Sequence, residues 1–154
     1  MNFESIDEIL NFAIEKEVEA VEFYKKASGL AHVESIRDVL LDFSNEENKH
    51  KKMLEHFKDD QKKFEKYEFK KILDLKRSDF LVVNVEYETG MNFTDILKLA
   101  MKREEMAVKL YNKLSTYALD SNVENLFQIL VQEESKHKNI LETMYDDHMT
   151  KMGD

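Results

Sequence analysis

The chain has 154 residues, with no Cys, Pro or Trp and three Gly, and a formal charge of −9 from 32 acidic and 23 basic side chains. That length is one ordinary domain, large enough to bury a core without disulfides or structural metals to staple it. Lack of Cys excludes thiolate zinc sites, iron–sulfur clusters and thiol nucleophiles. The acidic balance argues against nonspecific contact with nucleic acid or anionic membrane.

Average usage would place about eight Pro and eleven Gly in such a chain. Folds built from many tight turns need those residues, so a few long helices fit better than a sandwich or barrel. The sequence has no apolar run long enough to span a bilayer and no signal peptide at its start, so the expected location is the cytoplasm.

In chain order, the first amphipathic stripe is Ile6, Leu10, Ala13, Ala20, Tyr24, Ala27 and Ala31, with a gap at 17. Ser5 and Glu8 form a candidate capping box, and Gly29 marks a candidate C-cap region. A second stripe runs Ile36, Leu40, Phe43, Leu54 and Phe57, with gaps at 47 and 50. After a connector come Phe93, Leu97, Ala100, Ala107, Tyr111, Leu114 and Ala118, with a gap at 104. The last stripe is Val123, Phe127, Leu130, Leu141 and Met144, with gaps at 134 and 137.

The two halves are copies. A shift of 87 positions superimposes Glu17 on Glu104, Tyr24 on Tyr111, Glu47 on Glu134 and His50 on His137; from 9 to 55, 17 of 47 positions are identical without a gap. This is a repeated helical hairpin. The expected organisation is one domain: a hairpin over 4–60, a packed crossover over 61–91 and a second hairpin over 92–146, followed by a polar tail.

The residues that fill the gaps are Glu17, Glu47, His50, Glu104, Glu134 and His137. Each stands where the helical rhythm demands a buried side chain. Four ionised carboxylates in an apolar core cost several kcal/mol each unless compensated. No Lys or Arg shares the seam, which leaves protonation or metal. Two divalent cations would cancel four carboxylates, with one neutral His for each. A Glu and a His three residues apart lie on one helix face. Helix bundles hold metal pairs in this way, with one Glu from each of two helices and Glu-x-x-His from each of the other two. A single Glu-x-x-His is weak evidence in a chain with 20 Glu and five His. Two copies, each 30 residues after a Glu that precedes a Tyr by seven, are far more specific. His32, His56 and His148 fall off the seam and are read as ordinary surface or turn residues. Tyr24 and Tyr111 lie on the seam, where a Tyr commonly holds its hydroxyl against a carboxylate; a catalytic redox role is the alternative reading.

The pattern Glu17-x6-Tyr24 with Glu47-x-x-His50, repeated as Glu104-x6-Tyr111 with Glu134-x-x-His137, resembles the ferritin-like di-iron carboxylate superfamily and its rubrerythrin-like branch. The resemblance implies an all-α, ferritin-like four-helix bundle with a long crossover between the second and third helices. It implies Glu17 and Glu104 as terminal ligands and Glu47 and Glu134 as bridges. His50 would join Glu17 at one metal and His137 would join Glu104 at the other. Ala107 stands where rubrerythrins typically carry a further Glu, and the six-ligand set is closer to that of bacterioferritin. The rubredoxin-like domain of full rubrerythrins, with its four Cys, is missing. The cofactor so implied is two iron ions, with manganese or a mixed pair as alternatives and zinc an occupant of recombinant material. The implied activity is reduction of peroxide or dioxygen with electrons from an external donor such as a rubredoxin-like protein, in a homodimer. Metal storage without turnover and manganese catalase-like dismutation are the alternatives.

Overall fold

The computed structural model describes residues 3, 5–59, 92–118 and 121–153. The expected crossover over 61–91 lies outside them. Among the described residues there are four helices: α1 (Ile6–Leu30), α2 (Glu34–Asp59), α3 (Phe93–Tyr117) and α4 (Ser121–Gly153). They form a four-helix bundle. The tight pairs are α1 with α2 and α3 with α4, the two hairpins of the repeat. Among the described residues no helix is long and apolar enough to cross a membrane.

The repeat is copied down to the helix ends. Ser5 caps α1 by accepting from the Glu8 amide at 3.1 Å, and Asn92 caps α3 by accepting from the Asp95 amide at 2.9 Å. These caps satisfy amides that a helix cannot satisfy itself. At the other end, Ala31 and Ala118 turn extended, and their amides donate to the carbonyls of Ser28 and Ser115. All four positions keep the offset seen in the sequence. Gly29 is not the cap: α1 runs through it to Leu30, and nothing lies near enough to Gly29 to require a missing side chain.

Every apolar seam residue is buried or half-buried. The core divides into two clusters above and below the polar centre. One gathers Leu10, Ala13, Leu54, Tyr111, Leu114 and Phe127; the other gathers Tyr24, Ala27, Leu40, Phe43, Leu97 and Leu141. Helix α1 buries a wider arc than the seam alone, adding Ile9, Phe12 and Phe23. Phe3 is fully buried and meets Phe12 edge to face at 5.3 Å.

Helix α4 continues past 146, the end expected for the second hairpin, to Gly153. The polar tail is therefore helical. His148 is half-buried there, its ring edge-on to Phe93 at 5.5 Å, and Thr150 donates to the Asp146 carbonyl.

Candidate metal centre

Between the two apolar clusters, all six gap residues converge. Glu17, Glu47, His50, Glu104, Glu134 and His137 are each at most 4% exposed. One comes from α1, two from α2, one from α3 and two from α4. His32 and His56 stay on the surface, as their off-seam positions suggest.

The six fall into two overlapping groups. Glu17, Glu47, His50 and Glu134 offer ligand atoms within 4.8 Å of one another, and so do Glu47, Glu104, Glu134 and His137. Glu47 and Glu134 belong to both. The histidines cross between hairpins. His50 Nδ1 lies 2.6 Å from Glu134 Oε1, and His137 Nδ1 lies 2.8 Å from Glu47 Oε1. The tyrosines cross too, each reaching the carboxylate of the other half: Tyr24 donates to Glu104 Oε1 at 2.5 Å and Tyr111 to Glu17 Oε1 at 2.6 Å.

Electrostatics fit a site starved of positive charge. Burial lifts Glu17 to about 7, aided by the charge of Glu104. Burial, then mutual repulsion among the acids, holds Glu47 and Glu134 well above the carboxylate range. Burial also raises Glu104, but its contacts with Glu134, His137 and Tyr24 outweigh this and keep it low. His50 falls to about 4 through burial and the neighbouring His137, and so is neutral at pH 7. His137 goes up despite burial, because Glu104 and Glu46 face it.

Two buried carboxylate oxygens, Glu17 Oε2 and Glu104 Oε2, have no hydrogen-bond partner. Such orphans are costly in a core. They are the atoms a pair of cations would satisfy. The donor set of carboxylate and imidazole suits iron and manganese. The residues therefore fit a metal pair.

Three polar neighbours were not singled out from sequence. Glu46 bonds His137 Nε2, the ring nitrogen turned away from the cluster. Lys16 and Arg103 line a cavity beside the carboxylates. Their signal was in the repeat: the same shift that pairs the ligands pairs Glu46 with Glu133 and Lys16 with Arg103.

An all-helical bundle with this buried Glu and His cluster belongs to the ferritin-like class. The sequence profile of the Rubrerythrin family matches residues 8–145, and the chain belongs to that family. No curated protein matches the sequence. Two solved structures share the fold. A candidate ferritin-like diiron-carboxylate protein from Thermotoga maritima has a TM-score of 0.78 at 18% identity, over 96% of this chain and 99% of that one. A hypothetical protein from Pyrococcus furiosus has a TM-score of 0.71 at 24% identity, over 93% and 89%.

Proposed function

We propose that this protein holds two iron ions, or two manganese ions, between its hairpins and uses them to reduce peroxide or dioxygen. The observation that carries the reading is the pair of four-residue groups sharing Glu47 and Glu134. In this reading Glu17 and His50 serve one metal and Glu104 and His137 the other, with Glu47 and Glu134 bridging. Membership of the Rubrerythrin family supports it, as do the two unpartnered oxygens.

A bound ferrous pair would supply two electrons and Lewis acidity to an O–O bond. One peroxide takes two electrons and two protons and leaves as two waters. The protein's own part is to hold the carboxylates in place and keep the site dry. Tyr24 and Tyr111 each fix one oxygen of a terminal Glu and leave the other for the metal. The apolar clusters on either side exclude bulk water. In this reading an external donor, such as a rubredoxin-like protein, returns the electrons.

The test is stopped-flow mixing of anaerobically iron-loaded protein with hydrogen peroxide. The reading predicts ferrous loss much faster than for free ferrous ion. Equal rates would overturn catalysis. More than two iron ions per chain in a large shell would point to storage instead.

A further inference from the structure

Five methionines have described side chains: Met53, Met101, Met106, Met144 and Met149. Met53 packs on one apolar cluster, Met101 and Met144 pack on the other, and Met149 is 41% exposed. Met106 is half-buried and also packs on the second cluster. Of the five, it alone lines the cavity of about 50 Å³ that touches Glu17, Glu47, Glu104 and Glu134. Its thioether and the candidate metal ligands thus share one wall.

Packing does not call for sulfur at this position. Leu fills nearly the same volume and suits a helix as well. The repeat does not call for it either: the counterpart of Met106 is Glu19, which pairs with Lys16 at 2.9 Å. What Met adds is a soft thioether that takes up one oxygen atom to become the sulfoxide. The product fits. One water-sized group needs roughly 10–15 Å³, and the cavity is larger than that, with the small side chains Ala20 and Ala107 in its wall. The added oxygen has space on the cavity side, while the rest of the side chain stays against its apolar cluster.

From this placement we propose that Met106 is a modification site, oxidised to the sulfoxide by peroxide handled at the carboxylates once the metal pair has given up its electrons. The inference rests on the metal-pair reading, which brings peroxide to the carboxylates of this same wall. The step balances without an external donor. The O–O bond of hydrogen peroxide breaks and an S–O bond forms. The sulfur supplies both electrons, and the second oxygen leaves with both protons as water. Sulfoxide reductases return the product to Met, so the mark is reversible. It records turnover in which peroxide outran the donor.

Hydrogen peroxide labelled with heavy oxygen is the probe. Ferrous-loaded protein, its iron content measured, receives one equivalent of peroxide per chain and then an excess, with no donor present. Metal-free protein receives the same. Peptide mass spectrometry reads the label on Met106 and, as an exposed standard, on Met149. At one equivalent the ferrous pair supplies the electrons, and Met106 should stay unlabelled. In excess, the iron-loaded protein should label Met106 about tenfold faster than Met149, against the order that exposure alone would give. In metal-free protein Met149, the more exposed sulfur, should lead. Label absent from Met106 in the iron-loaded protein, or reaching Met149 first, would overturn the inference. So would label on Met106 ahead of Met149 in metal-free protein, which would make the sulfur reactive without the site. Protein that holds no iron pair, or loses ferrous iron no faster than free ion, would instead overturn the reading beneath it.

Discussion

Tyr24 on α1 donates its hydroxyl proton to Glu104 Oε1 on α3 at 2.5 Å, tying one half of the repeat to the carboxylate of the other. Tyr111 returns the bond to Glu17 at 2.6 Å. Burial and the facing carboxylates hold both phenols well above their usual range, so both remain protonated donors. Tyr24→Phe would leave Glu104, already carrying one orphan oxygen, with a second. The expected cost to the metal-free protein is about 1–3 kcal/mol. Chemical denaturation of the metal-free protein measures it, and unchanged stability would contradict the bond's role.

Glu47 offers an atom to both ligand groups. Glu47→Ala should therefore reduce binding from two metals per chain to at most one. Glu134→Ala should do the same. Metal titration followed by elemental analysis gives the count. Two metals retained at wild-type affinity would remove the bridging role.

Glu46 bonds the outer nitrogen of His137, and no such bond joins Glu133 to His50 among the described residues. A carboxylate behind a ligating imidazole fixes its tautomer and orientation. Glu46→Gln should weaken one of the two metal-binding steps by about 10- to 100-fold, while Glu133→Gln leaves both unchanged. Equal effects from the two variants would show that the asymmetry has no consequence for metal.

The acids also set a pH dependence. Glu17 is raised from 4.5 to about 7 by burial, and burial with neighbouring charge raises Glu47 and Glu134 well above 4.5. Between pH 4.5 and 7 the folded metal-free chain thus binds more protons at these groups than the unfolded chain, and their contribution to stability falls as pH rises. His50, lowered from 6.5 to about 4, opposes this over its own window, but three raised carboxyls outweigh it. Metal needs the carboxylates ionised, so binding near pH 6 should release protons. Calorimetry in two buffers of different ionisation enthalpy would detect the release. A buffer-independent heat would contradict it.

The sequence announced the hairpins and the cluster for one reason. Glu17, Glu47, His50 and their copies interrupt apolar stripes whose spacing is otherwise unbroken, so burial of charge could be read directly. The tyrosines were visible as seam residues, but their exchange between hairpins was not, because the stripe of one helix does not say which carboxylate it faces. Lys16, Glu46 and Arg103 are not legible as site neighbours in the sequence because each immediately precedes a seam residue, about 100° around the helix, on faces that look solvent-exposed. Glu46 and Arg103 each contact a residue of another helix, and Lys16 joins the site as part of the cavity wall beside the carboxylates. The run of α4 to Gly153 is hard to read from sequence because polar residues at 146–153 give no apolar stripe, although His148 finds Phe93 to pack on.

Anomalous diffraction from crystals of iron-loaded protein tests the central claim most directly. Two peaks about 3.5–4 Å apart are predicted between Glu47 and Glu134, one beside Glu17 and His50 and the other beside Glu104 and His137. A single peak in the core, or iron bound only at the surface, would contradict the account.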